Sequence, residues 1–153
     1  MSLKVVIDTS LIFHLFSSFY PERTKTTEEV IKLAKLGIIE LYAPQLGEIE
    51  FIAVLSRYLD HDQVEQALRF YSALVTWIPE ELLIEDLKEV AFKTYHKASD
   101  IYFIATASYL NGILITNDNK MAELAKSSGI QSFCLVKESE KFSGRWWDDS
   151  YHG

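Results

Sequence analysis

The stretch Val5-Val6-Ile7-Asp8-Thr9-Ser10-Leu11 decides the fold class. Three β-branched residues run into an aspartate and a hydroxyl pair, and a fresh apolar run follows. A continuous apolar run of this kind reads as a strand buried on both faces, the pattern of a parallel sheet covered by helices. The aspartate that ends it has two roles open. It can cap the following helix, as Asp often does. It can also stand where an open α/β sheet builds its site, outside the carboxyl ends of the strands.

Outward from this stretch, the chain alternates. Ile38–Ala43, Val75–Ile78, Ile113–Thr116 and Gln131–Val136 read as four more short strands. Between them, Leu11–Phe19 is apolar enough for a short buried helix punctuated by Pro21. Thr26 and Glu29 have capping-box spacing for a helix over 26–36 that Gly37 stops. Pro44 suits the first turn of a helix running to about Leu59, and Asp60 or Asp62 can cap the next. Residues 80–96 form another, and Ser99 can cap one from Asp100 to Leu110 with Asn111-Gly112 as its stop. Met121–Ala125 lies in a last short helix. Residues 137–153, with Trp146-Trp147, read as a C-terminal tail without clear period. This alternation predicts a three-layer α/β/α fold, with a central, mostly parallel sheet of about five strands. With neither repeat nor linker, residues 1–153 read as a single domain.

The chain has 153 residues, 48% of them hydrophobic, enough for one real core. The helix after Pro44 is apolar on nearly every side, so it is buried centrally or in a subunit interface, which suggests a homodimer. Cys134 is the single cysteine, which excludes an internal disulfide and a multi-cysteine zinc site. With no signal-peptide pattern, it leads to the expectation of a cytoplasmic location. No apolar run approaches the roughly 20 residues that span a bilayer, so no membrane association is expected. His14, His61, His96 and His152 show no paired zinc-ligand spacing. The net charge of -7 opposes binding nucleic acid by long-range attraction alone. Work on phosphate would need a local basic patch, a metal or a basic partner.

Four carboxylates bear on that requirement. In a parallel α/β sheet, strand carboxyl ends and helix amino ends share one edge. Asp8 ends the first strand, Asp118 follows the fourth, and Asp100 opens the helix leading to the fourth. Glu50 lies about 9 Å down the helix after the second strand, and its side chain leans back toward that edge. Periodicity does not separate it from Glu48. Each acid alone has an ordinary role: Asp100 can complement its helix dipole, Asp118 can cap, and Glu50 can pair with Arg57. Converging carboxylates repel unless a cation joins them, and an all-oxygen set selects a hard ion such as Mg²⁺ or Mn²⁺.

These residues also carry a family resemblance. Asp8-Thr9-Ser10 after a buried strand resembles the opening of a PIN domain. Ala43-Pro44-Gln45-Leu46 with Glu50 and Leu55, Ala98-Ser99-Asp100-Ile101-Tyr102 with Ala105 and Ala107, and Leu114-Ile115-Thr116-Asn117-Asp118 resemble its later acidic segments. The match runs from residue 4 to about 136 and is most similar to the short VapC-type toxins. The resemblance implies an acidic set of Asp8, Glu50, Asp100 and Asp118, with Ser10 and Thr116 as hydroxyl support. Asp8, Asp100 and Asp118 would be the metal ligands of an Mg²⁺- or Mn²⁺-dependent endoribonuclease. It further implies an RNA substrate and a small antitoxin whose basic residues occupy the acidic groove. An asparagine that often follows the glutamate by three residues is Ala53 here.

Lys97, Lys120 and Arg57 stand near the acidic motifs and can contact flanking phosphates or simply be solvated. Trp146-Trp147 can stack on RNA bases or dock on the domain or another subunit. Two other readings stay within the family: an RNA-processing nuclease outside a toxin system, and a non-catalytic RNA- or protein-binding module. A receiver-like phosphoacceptor domain needs an aspartate ending the third strand, and Trp77-Ile78-Pro79 offers none.

Overall fold

The computed structural model describes residues 2–17, 20–95 and 97–150, the last eight by backbone alone. Its elements are β1 (Leu3–Ile7), α1 (Thr9–Ile12), a 3-10 turn (Phe13–Phe16), α2 (Pro21–Lys35), β2 (Ile39–Pro44), α3 (Gln45–Leu55) and α4 (His61–Ser72). There follow β3 (Val75–Ile78), α5 (Glu80–Thr94), α6 (Ala98–Leu110), β4 (Ile113–Thr116), α7 (Asn119–Ser127), β5 (Ser132–Cys134) and α8 (Leu135–Ser150). Five strands in the order β3-β2-β1-β4-β5 form one sheet, every pair parallel, with helices on both faces. The expected sheet is thus present and wholly parallel. Among the described residues, no helix is long and apolar enough to cross a membrane.

Strand β1 lies at the centre because Val5, Val6 and Ile7 have no exposed surface at all. Burying each such side chain contributes about 1.5–3 kcal/mol, so β1 belongs where helices cover both faces. Its neighbours on the two sides are β2 and β4, with Ile7 aligned to Ile115. The chain builds outward through β2 and β3, then crosses back to β4 and β5. The order therefore reverses between β1 and β4, and the crevice outside their carboxyl ends is where this class of sheet binds its ligands.

Helix α2 begins earlier than the Thr26–Glu29 spacing predicts. Pro21 is its first residue, not the stop of the preceding segment, and Thr26 Oγ1 donates back to the Glu22 carbonyl at 3.1 Å inside the helix. Thr24 and Thr27 bind the elements before it: Thr24 Oγ1 donates to the His14 carbonyl in the 3-10 turn at 2.7 Å, and Thr27 Oγ1 to the Leu11 carbonyl in α1 at 3.1 Å. The apolar segment after β1 is split between α1 and the 3-10 turn, and Phe19 lies outside the described residues.

Asp60 is the cap of α4, in a reciprocal capping box with Gln63. Ser99 does not cap α6, which begins two residues earlier than expected, at Ala98, with Lys97 at its cap position. The fifth strand is shorter than expected, and Leu135 and Val136, read as its end, open a helix kinked at Glu138 that continues through residues 137–150, read as a tail. Helix α3 is shorter than expected and buries Gly47, Phe51 and Leu55, while Ile49 is 59% exposed. Gly47 lets α3 approach closely, since a Cβ there would meet Phe103 at 3.3 Å and Trp77 at 3.4 Å.

Candidate active site

The carboxyl edge of β1 and β4 is built around a carboxylate almost without access to water. Asp8 is only 5% exposed. It occupies the cap position of α1, yet its side chain makes no capping bond there. The Ser10 hydroxyl instead donates to Asp8 Oδ2 at 2.5 Å, and the Thr116 hydroxyl donates to the same oxygen at 2.8 Å. Both hydroxyls are themselves oriented by backbone amides. Asn117 N–H donates to Ser10 Oγ at 3.3 Å, and Asp118 N–H donates to Thr116 Oγ1 at 2.9 Å. Two amides arriving at the hydroxyl oxygens leave their protons directed at Asp8, so the network has one sense.

Burial is the largest influence on Asp8 and raises its pKa above the ordinary aspartate value; the two hydroxyls oppose that, and the charges of Asp100 and Asp118 add to it. Glu50 is likewise raised, first by burial, then by the charge of Asp8, with a smaller contribution from Asp100. Its Oε1 accepts from Thr9 Oγ1 at 3.4 Å. All four acids therefore share one electrostatic neighbourhood, each element delivering one: β1 Asp8, α3 Glu50, α6 Asp100 and the start of α7 Asp118.

Of the two glutamates on α3, Glu50 meets Thr9 and feels Asp8 and Asp100; among the described residues Glu48 makes no hydrogen bond or ion pair with the acidic set. Asp118 does cap α7, but Lys120 N–H and Met121 N–H both fall on Oδ1, at 2.9 and 3.3 Å. Capping uses one oxygen and leaves Oδ2 outside those bonds. Likewise, both hydroxyl bonds to Asp8 fall on Oδ2, leaving Oδ1 for another partner.

A family model supplies what geometry cannot. That of the PIN domain matches residues 5–127, most of the chain and all four acids. The chain belongs to the PIN domain family. Comparison with curated proteins finds no match. Among solved structures, this PIN chain is similar to VapBC2 from Rickettsia felis bound to a DNA fragment from their promoter. There the TM-score is 0.67 at 13% identity, covering 86% of this chain and 98% of that one. It is similar to VapBC-1 from nontypeable Haemophilus influenzae, with a TM-score of 0.68 at 18% identity over 88% and 99% of the two chains. FitAcB from Neisseria gonorrhoeae gives 0.62 at 12% identity over 84% and 96%. At such identities the likeness speaks for the fold.

The basic residues near the PIN motifs divide by position. Lys97 and Lys120 are exposed at the amino ends of α6 and α7, on the edge that carries the acids. Arg57 is exposed beyond the far end of α3, roughly 10 Å along that helix from Glu50. The Trp146 and Trp147 side chains, His96 and His152 lie outside the described residues. His14 is buried in the 3-10 turn and His61 is exposed on α4. Thr9 and the Asn117 amide are parts of the site that motif reading passed over. Both lie inside the quoted motifs, so adjacency to Asp8 and Asp118 was their signal.

Proposed function

We propose that this PIN domain is an Mg²⁺- or Mn²⁺-dependent endoribonuclease hydrolysing RNA phosphodiester bonds, the toxin of a toxin–antitoxin pair. One observation carries the reading: four carboxylates share the switch-point edge, and the most buried of them is held there by a directed hydroxyl network. Such a set is costly unless positive charge joins it. The donors are all oxygens, which fits a hard cation. No three of these carboxylates have ligand atoms within 4.8 Å of one another, which suits Mg²⁺, an ion that keeps several waters and takes one or two carboxylates directly.

Asp8 Oδ1 and Asp100 would hold the ion directly, and Asp118 Oδ2 would reach it through a bound water. When bound, it would lower the pKa of a water and neutralise charge developing on the scissile phosphate. Ser10 and Thr116 keep Asp8 in one rotamer, so the site needs little rearrangement on loading. Glu50, fixed by Thr9, orients water on the side of the site facing α3. Lys97 and Lys120 take flanking phosphates, while Arg57 is the remotest of the three basic candidates. A small antitoxin with basic residues suits the acidic edge, and the exposed Ile49 on α3 is available to a homodimer contact. Cytoplasmic RNA is the substrate pool this reading implies.

The test is direct. Purified chain should cut RNA with Mg²⁺ or Mn²⁺ and stop with EDTA, and Asp8→Asn should lower the rate by on the order of a hundredfold or more, the scale of losing a charge-stabilising group. Undiminished cutting by Asp8→Asn would remove this edge as the site.

A further inference from the structure

A cleft of about 400 Å³ opens on the same sheet edge, between the amino end of α2 and the start of α8. That is within the usual range for small-ligand clefts, about 300–1,000 Å³. Asn117 lines it, and its neighbours in sequence are Thr116 and Asp118 of the acidic site. The Asn117 backbone is fixed through Ser10, so this wall is rigidly tied to Asp8. On the opposite wall the Arg23 guanidinium sits 4.2 Å from the centre of the Tyr20 ring. Pro21, Leu135 and Val136 supply apolar surface, and Ser139 a hydroxyl.

We propose that this cleft takes the unpaired base of a nucleotide flanking the cut, laid against the Arg23–Tyr20 pair with its polar edge turned to Asn117 and Ser139. Guanidinium planes and aromatic rings are the surfaces on which proteins stack splayed RNA bases. Asn and Ser side chains each donate and accept, as a base edge requires. Glu22 also lines the cleft and balances the charge of Arg23. That balance favours a neutral base over a second phosphate. The single-residue step from Asn117 to Asp118 sets the distance between base and metal edge, so this cleft would decide which nucleotide stands beside the cut.

The inference rests on the ribonuclease reading, and two readouts on the full chain separate them. The first is fluorescence anisotropy with labelled single-stranded RNA in Ca²⁺. The second is cleavage of the same oligomers in Mn²⁺, varied one base at a time. Arg23→Ala should weaken binding and raise KM about tenfold with little change in kcat, the scale of one lost stacking platform. Asn117→Ala, with its backbone amide retained, should redistribute cutting among the four bases. Melting temperatures of both variants should match the parent. If the parent cuts RNA while both folded variants keep its Kd, KM and base pattern, the cleft proposal is wrong and the ribonuclease reading stands. If the parent binds RNA through Arg23 but cuts none, the cleft stands and the nuclease reading falls. Absence of both binding and cutting overturns the two together.

Discussion

Asp8 carries its carboxylate in one of the driest places in the molecule, with only hydroxyls on one oxygen and like charges nearby. Two neutral donors offset part of the burial cost, but they do not remove the repulsion from Asp100 and Asp118. In metal-free protein, Asp8→Asn should therefore stabilise. The amide oxygen still accepts from Ser10 and Thr116, while the buried charge is gone. We expect the melting temperature in EDTA to rise by about 2–4 °C, the shift that roughly 1 kcal/mol gives in a chain of this size. A fall would mean that the carboxylate itself is needed structurally. The positions of Asp8, Asp100 and Asp118 were legible in the sequence because each stands at a strand or helix boundary, where topology alone sets the edge. The choice of Glu50 over Glu48 was not. Their helix is apolar all round, so its period carries no phase; the family resemblance points to Glu50, and the packing of α3 brings Glu50 to Thr9.

Helices α2 and α8 show where element reading succeeds and fails. Gly37, with a φ of +74°, ends α2 as a glycine stop should. Its start was misread because Thr26–Glu29 satisfies a capping box in spacing, while Pro21 had already nucleated the helix five residues upstream. Helix α8 was missed altogether. Leu135 and Phe142 bury against the core, but Val136 is 48% exposed and the backbone breaks at Glu138, so no single period runs through it. A charged residue secures it instead. Glu138 Oε1 accepts from Lys126 Nζ at 2.9 Å and from the Cys134 amide at 3.2 Å, joining α7, β5 and α8. The Lys126 bond holds the Glu138 carboxyl below its ordinary value of 4.5, with the Cys134 amide assisting. A depressed carboxyl stabilises the fold above its unfolded pKa and ceases to do so as pH falls through the folded one. Glu138→Gln should thus cost about 1 kcal/mol near neutrality. The gap in urea midpoints should narrow progressively as the pH falls below 4.5 and vanish once the folded carboxyl is protonated. A gap that persists in acid would assign Glu138 a role in shape, not charge.

For the whole molecule, a parallel sheet was foreseeable from unbroken apolar strands, but strand order was not, because the sequence does not say to which side of β1 each crossover returns. That order matters, since it puts the reversal at β1 and β4 and so gathers the acids of a chain with net charge -7 on one edge. An acidic protein of this kind should couple folding to cation binding. Mn²⁺ at a hundredfold excess over its Kd stabilises by about 2.7 kcal/mol if it binds only the folded state. For a chain of this length that is a rise in melting temperature of about 5–10 °C, and NaCl at equal ionic strength should give far less. A competing acidic group tests the location. His61, Asp62 and Glu65 are exposed on α4 with ligand atoms within 4.8 Å of one another. If the sheet edge is the metal site, Asp62→Asn keeps the Mn²⁺-dependent rise and Asp8→Asn loses most of it. Asp8→Asn then moves in opposite senses in EDTA and in Mn²⁺: it melts higher than the parent without the ion and lower with it, because the charge that strains the empty fold is the charge that binds. The reverse pattern, with Asp62→Asn abolishing the rise, would place the ion on α4 and leave the four sheet-edge carboxylates, of which Asp8 is buried, without the cation that explains them.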